Sequence, residues 1–277
     1  MEPNVLTPDA LNTVALNIEG GIARLTLSRP EVHNAFNAET ISELRQALAS
    51  LAADDAVRIL VLRGEGKHFC AGGDLNWMKS QKEASLEENL ADSGRLADLL
   101  DELNSFPKPT IAEVQGAAFG GALGLISCCD MVVASDDARF CLSEVKLGLS
   151  PATISPYVIA AMGARQARRY FLTAELINAE KAYEIGLIHQ IVSRETLSDV
   201  TAGWIKHLLN NGPQAIAATK QLIRDVSNKP VDDELKNVTS ELIARLRVGD
   251  EGQEGLTAFF EKRPAAYSLT SSATGDK

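Results

Sequence analysis

The chain has 277 residues, of which 45% are hydrophobic and 23% charged, as in an ordinary globular protein. It carries 37 acidic and 27 basic residues, so its formal net charge at pH 7 is −10. General nucleic-acid binders usually present a basic face, and this acidic balance therefore predicts no nucleic-acid partner.

The cysteines and the N-terminus indicate the redox state of the thiols and the cellular compartment. Cys70, Cys128, Cys129 and Cys141 show no C-x-x-C spacing, and the histidines form no metal-ligand motif, so we expect reduced, buried thiols and no metal site. The opening MEPNVLTPDALN has neither the basic nor the apolar part of a secretory signal, and no apolar run is long enough to span a bilayer. We therefore expect a cytoplasmic protein without membrane contact.

The opening of the chain predicts the order strand, strand, helix, strand. Residues 13–18 and 22–27 are β-rich runs separated by Glu19-Gly20-Gly21, which indicates a hairpin. Residues 38–53 place an isoleucine and leucines at helical spacing, and 58–62 form a short buried strand.

The strand and helix rhythm continues through the middle of the chain. A mostly helical stretch over 74–106 precedes a strand at 109–114, and from about residue 197 the pattern is helical throughout. The rhythm favours a solenoid-like core. We predict an α/β core over 1–196, a helical region for subunit packing over 197–265, and a disordered tail over 266–277.

Two glycine-rich stretches form the candidate ligand site. Phe69–Asp74 reads FCAGGD, and Gln115–Asp130 reads QGAAFGGALGLISCCD, with a helix predicted from about residue 119. The first N–H groups of a helix have no partner within it, and Gly120 and Gly121 leave room for a ligand to approach them. Two such turns can direct two N–H donors at one oxygen, the arrangement that stabilises an oxyanion. Taken alone, the 115–130 stretch is better explained by tight packing of a buried helix, and the other glycine-rich stretch, Phe69–Asp74, is what favours a ligand site.

Five segments, in order, resemble the enoyl-CoA hydratase/isomerase (crotonase) superfamily and together cover about residues 14–265. They are SRPEVHNAFN, HFCAGGDL, VQGAAFGGALGLISCCD, ARFCLSEVKLGLSPATISPYV and EGQEGLTAFFEKRP. The resemblance implies a crotonase-like spiral of repeated ββα units with a C-terminal helical oligomerisation region. It also implies an acyl-CoA substrate, a homotrimer or dimer of trimers, and no cofactor other than the coenzyme A of the substrate.

The resemblance also assigns residues to roles. It implies that the N–H groups of Gly73 and Gly121 hold the thioester oxygen as an enolate forms, and that Lys262 meets coenzyme A phosphates at a neighbouring subunit. Asp74 and Asn34 have structural explanations too, as a helix cap and a turn residue. The positions that the resemblance places along the substrate are His33, Asn34, Ala35, Ala71, Gly72, Asp74, Leu75, Asn76, Gly120 and Lys262.

The carboxylates distinguish between reactions. Hydratases of this family usually carry two glutamates, of which the first aligns with Gly124 and is absent, while the second aligns with Glu144 in LSEVKLG. The neighbours of Glu144 are apolar: Phe140, Cys141, Leu142 and Val145. Partial burial among them would raise the pKa of the carboxyl group toward the range useful for general acid–base catalysis.

Several functions remain open at this point. GGALGLISCCD, LSEV and SPATISPYV resemble the methylglutaconyl-CoA hydratase branch, which implies hydration of 3-methylglutaconyl-CoA and a cation near the acyl group, with Lys79, Lys146 and Arg165 as candidates. An enoyl-CoA isomerase is the nearest alternative, because it too needs one carboxylate. Decarboxylase and dehalogenase activities are weaker alternatives. A non-enzymatic RNA-binding or scaffold role is disfavoured by the acidic charge and the paired glycine turns.

Overall fold

The structure, a computed structural model, describes residues 11–269 as two compact units. The first contains the described residues through Phe106 together with Thr110–Thr201, and the second contains Pro107–Pro109 and the described residues from Ala202 onward. Of the predicted disordered tail, residues 270–277 lie outside the described residues. Within residues 11–269, no helix is long and apolar enough to cross a bilayer.

The elements alternate between strands and helices until the chain becomes helical. The strands are β1 (Val14–Glu19), β2 (Ile22–Leu27), β3 (Ile59–Gly64), β4 (Thr110–Val114), β5 (Ala117–Phe119), β6 (Met131–Ser135), β7 (Arg139–Cys141), β8 (Ile177–Asn178) and β9 (Gln190–Val192). The helices are α1 (Ala38–Ala53), α2 (Leu75–Glu83), α3 (Leu86–Asn104), α4 (Gly121–Cys128), α5 (Ser155–Thr173), α6 (Ala179–Glu184), α7 (Leu197–Leu209), α8 (Pro213–Val226), α9 (Asp233–Val248) and α10 (Asp250–Glu261).

Two sheets form the centre of the first unit. The larger has the order β1-β2-β3-β4-β6-β9, in which only the predicted β1–β2 hairpin is antiparallel. The smaller has the order β5-β7-β8, with β5 and β7 parallel. The parallel strands read as apolar runs because helices cover them, and α1, α3, α4 and α5 contribute to the same buried core.

The smaller sheet contains two short strands, β5 and β8, that the sequence pattern did not predict. Residues 117–119 form strand β5 where a turn into a helix was expected, and α4 begins at Gly121 instead of about 119. Short strands between glycines lack the length that periodicity needs. β5 exists because it pairs with β7 and, through Ala118, with Cys70 in an isolated parallel bridge.

In the second unit, α8, α9 and α10 pack on one another. The carboxylate of Glu251 in α10 accepts the N–H groups of Gln214 at 2.9 Å and Ala215 at 2.8 Å, and so caps the first turn of α8. Beyond the C-terminal end of α10, Arg263 forms a bidentate ion pair with Glu254. The Glu254 carboxylate also accepts the Ala266 N–H at 2.7 Å.

Glu43 of α1 ties that helix to the start of the larger sheet. Its buried carboxylate accepts the N–H groups of Asn12 at 2.8 Å, Thr13 at 2.8 Å and Val14 at 3.2 Å, and the Thr13 hydroxyl at 2.6 Å. One side chain thus satisfies four donors where β1 begins.

We expect Glu43→Ala to lower the free energy of unfolding by about 2–4 kcal/mol, because several buried donors lose their acceptor together. Urea unfolding followed by circular dichroism measures this change. Glu39→Ala is the matched control, since Glu39 is an exposed residue of α1 that, among residues 11–269, accepts a hydrogen bond from the Asn12 side-chain amide alone, at 3.0 Å. Equal losses in the two variants would contradict the anchoring role of Glu43.

Candidate active site

Phe36 joins the two glycine-rich turns that the sequence singled out. Its N–H donates to Gly72 O at 2.9 Å, and its carbonyl accepts the Asp74 N–H at 3.0 Å, so that Phe36 and Gly73 form a parallel bridge. In this pattern the polar groups of Gly73 point away from Phe36. The Gly73 N–H has no hydrogen-bond acceptor among residues 11–269.

The second turn reaches the same phenylalanine through its ring. Gly121 is the first residue of α4, and its N–H likewise has no acceptor within the described part of the chain. A Cβ added to Gly121 would overlap the Phe36 ring, whereas a Cβ on Gly73 would meet Met78 Cγ at an ordinary 3.5 Å. The backbone of Phe36 therefore fixes one unpartnered N–H donor and its ring packs beside the other.

Glu144 lies against the second turn. It begins a 3-10 turn (Glu144–Leu147), and a Cβ on Gly120 would approach its Oε1 atom to 3.3 Å. Gly120 has a φ of 55° and donates its N–H to Cys141 O at 2.8 Å, which holds α4 next to the segment that carries Glu144. Glycine is required here both by the left-handed backbone and by the nearby carboxylate.

The carboxylate of Glu144 is partly desolvated. Its Oε2 atom is buried and accepts no hydrogen bond from the described residues. Burial raises the pKa of this carboxyl group, against a smaller opposing effect from its own backbone N–H. The predicted partial burial is confirmed, and the group has the raised proton affinity of a general base or acid.

The first motif leads into α2 through a capped helix start. Asp74 accepts the N–H groups of Asn76 at 2.8 Å and Trp77 at 3.3 Å, and it pairs with Arg29 at 2.9 Å. Burial disfavours its charge, yet these hydrogen bonds and the Arg29 guanidinium prevail and lower the pKa of Asp74. The side chain thus acts as a helix cap, while Leu75 and Asn76 are exposed beside it.

The His33 loop faces the first motif through its backbone. Ala71 donates its N–H to His33 O at 3.0 Å, and both His33 and Asn34 adopt left-handed conformations, with φ of 57° and 55°. The Asn34 side chain accepts the Arg29 N–H and donates to Glu65 O at 2.8 Å. It also donates to His68 O at 2.7 Å, so every polar atom of the Asn34 side chain has a partner and holds the loop together.

The predicted cations are all exposed. Lys79 on α2, Lys146 beside Glu144 and Arg165 on α5 are exposed residues of the first unit. Lys262 belongs to the second unit, where it ends α10 in a left-handed conformation with φ of 55° and is exposed. Its contact with coenzyme A stays a prediction.

Position 124, where the resemblance expects a glutamate, has no space for a side chain. A Cβ on Gly124 would lie 2.5 Å from Ile154 Cγ2 and 3.0 Å from Leu100 Cδ2. A carboxylate there would require α5 or α3 to shift.

Phe36, Arg29 and Ile154 matter to this geometry, although none was a predicted site residue. Phe36 was within reach of sequence analysis, because it follows Asn34-Ala35 in a segment already assigned to the site. Arg29 and Ile154 act through contacts with residues 45 and 30 positions away, Asp74 and Gly124. No sequence period marks such pairs.

Comparisons with known proteins identify the family and the fold. The family model described as Enoyl-CoA hydratase/isomerase matches residues 17–269. The crystal structure of an enoyl-CoA hydratase from Shewanella pealeana shares 49% identity and superposes with a TM-score of 0.92, covering 94% of this chain and 97% of that one.

Two sequence relatives carry different activities in their names. An enoyl-CoA hydratase of Alternaria alternata is 37% identical over 243 residues, which are 87% of this chain and 79% of that protein. A trans-2-decenoyl-[acyl-carrier-protein] isomerase of Streptococcus mutans is 32% identical over 260 residues, 92% of this chain and 97% of that protein. The fold is that of the crotonases, as the sequence predicted, and the chain belongs to the enoyl-CoA hydratase/isomerase family.

Proposed function

We propose that this protein is an enoyl-CoA hydratase that adds water across the α,β double bond of an acyl-CoA thioester. One observation carries the proposal: two N–H donors without an acceptor among residues 11–269, those of Gly73 and Gly121, are joined through Phe36, and Glu144 lies against the turn that contains Gly121. Family membership supports the substrate class.

The two N–H donors provide the electrophilic half of the reaction. They donate hydrogen bonds to the thioester carbonyl oxygen of the substrate, and these bonds strengthen as the carbonyl becomes an enolate. This withdrawal of electrons makes the β-carbon electrophilic. Because both donors are held by the backbone, they need no rearrangement as charge develops.

Glu144 provides the proton transfers. Its carboxylate takes a proton from the water that attacks the β-carbon, and the resulting acid returns a proton to the α-carbon of the enolate. A single carboxylate serves both steps in sequence, and the overall reaction consumes only water. The absence of a side chain at Gly124 leaves water placement to Glu144 and the backbone.

Within this class we propose 3-methylglutaconyl-CoA as the substrate to test first, and a cytoplasmic homotrimer or dimer of trimers as the assembly. The support is the resemblance of GGALGLISCCD, LSEV and SPATISPYV to that hydratase branch. Lys146, two residues after Glu144, is the nearest of the candidate cations in sequence for the second carboxylate of such a substrate. Coenzyme A is carried by the substrate, and the proposed reaction needs no separate cofactor.

An enoyl-CoA isomerase is the second candidate. Moving a double bond needs one base that removes a proton and returns it elsewhere, and Glu144 is a single carboxylate beside the oxyanion donors. The isomerase among the relatives adds weight to this alternative. Parallel assays with 2-enoyl-CoA and 3-enoyl-CoA substrates distinguish the two reactions.

We expect Glu144→Gln to lower kcat for hydration by roughly 10²–10⁴-fold, because the amide cannot accept the proton from water. The assay uses crotonyl-, 3-methylcrotonyl- and 3-methylglutaconyl-CoA. Glu19→Gln, at an exposed position of β1, is the control that should keep normal turnover. Near-normal hydration by Glu144→Gln would contradict the role of Glu144 in proton transfer.

The raised pKa of Glu144 predicts a pH dependence. The acid limb of kcat/KM should lie above the ordinary glutamate value of about 4.3, because the base works only when ionised. The folded state holds this proton more tightly than the unfolded state does. The free energy of unfolding should therefore fall as the pH rises from the ordinary glutamate pKa through the raised pKa of Glu144 in the folded state. Glu144→Gln should remove this loss, which thermal unfolding at several pH values will show. A limb at or below the ordinary value would contradict burial of the carboxylate.

The two oxyanion glycines should respond differently to a methyl group. Gly121→Ala places Cβ within the Phe36 ring, so we expect at least a ten-fold loss in kcat/KM and a lower melting temperature. Gly73→Ala meets only ordinary contacts and should keep most of the activity. Steady-state kinetics with a shared substrate make the comparison, and equal effects would disprove the role of the Phe36 contact.

A further inference from the structure

Gly121, the proposed oxyanion donor, begins one face of α4. One helical turn further along this face, at Gly124, other side chains cover the helix. Residues three and four positions apart are neighbours on a helix, so Gly124 follows Gly120 and Gly121 on that face. Ile154 and Leu100 cover it, because a Cβ on Gly124 would approach Ile154 Cγ2 to 2.5 Å and Leu100 Cδ2 to 3.0 Å. No space for a ligand atom remains there.

Ile154 is held where the active-site elements meet. It is 3% exposed and is the N-cap residue of α5, with its carbonyl accepting the Val158 N–H at 3.1 Å. Helix α5 packs against α4 and also against the 3-10 turn that carries Glu144. The β-branched side chain has few rotamers in which to give way.

We propose that Ile154 is a specificity-determining residue that, with Leu100, closes the acyl pocket along the α4 face beside Glu144. The argument rests on the proposed function: a thioester oxygen at the Gly121 N–H and an acyl α- or β-carbon near Glu144 place the acyl group over this end of α4. A chain that continued along the helix would collide with Ile154. The pocket therefore selects acyl groups that are short in this direction.

The test compares acyl-CoA binding in Ile154→Ala and the unmodified protein. Butyryl-, hexanoyl- and octanoyl-CoA are saturated, so calorimetry measures their affinity without turnover. We expect Ile154→Ala to raise the affinity ratio of octanoyl- to butyryl-CoA by roughly ten-fold, the scale at which a hydrophobic pocket distinguishes methylene groups. The kcat/KM values for the matching trans-2-enoyl-CoAs should shift in the same direction.

Two control variants separate the effect of Ile154 on acyl-chain preference from a general loss of stability. Ile154→Val keeps the Cγ2 methyl that faces Gly124 and should keep the original ratio. Ile188→Ala makes the same truncation at another core position, 2% exposed, and should lower stability without changing the ratio. Should Ile154→Ala fail to fold, Leu100→Ala removes the second covering side chain and carries the same expectation.

An unchanged ratio in folded Ile154→Ala or Leu100→Ala would overturn the proposal. The result is separable from the proposed function, because binding of saturated acyl-CoAs requires no hydration. A shifted binding ratio without hydration of any enoyl-CoA would support the closure and refute the hydratase assignment. Hydration with an unchanged ratio would do the reverse.

Discussion

The contact of Phe36 with the two glycine turns is the constraint on which the site depends. Two backbone donors can serve one oxygen only if segments more than forty residues apart are held in fixed register. The backbone of Phe36 forms a parallel bridge with Gly73, and the Phe36 ring fills the space that a side chain at Gly121 would need. This packing explains why backbone geometry, and not the side chains of the glycine motifs, provides the proposed oxyanion hole.

Close packing also determines the environment of the Glu144 carboxylate. Glu144 is pressed against Gly120 with one buried oxygen that has no partner among the described residues, an arrangement that disfavours its ionised form. A protein selected only for stability would hydrogen-bond or expose this group. The surrounding fold tolerates the cost because larger stabilising networks, such as the one at Glu43, lie elsewhere.

The polar side chains around the site divide into those that hold structure and those left open. Asn34 and Asp74 lie within motifs assigned to substrate contact, yet their side-chain atoms are used in a turn and a helix cap. Glu144 is the reverse: a half-buried acid whose buried Oε2 atom has no hydrogen-bond partner among the described residues. Reactive potential in this molecule therefore follows from unsatisfied groups and not from the density of polar residues.

The sequence by itself determined the β1–β2 hairpin, helix α1, the helical C-terminal part, both glycine turns and Glu144 as the candidate acid or base, because local periodicity, turn chemistry and family motifs are written in neighbouring residues. It did not determine strand β5, whose three residues owe their conformation to pairing with β7 and Cys70. Nor could it show that Phe36 joins the two turns or that Ile154 fills the space at Gly124. Those facts were decided by the tertiary structure, because each depends on the distance between atoms that the chain separates by 30 to 85 residues.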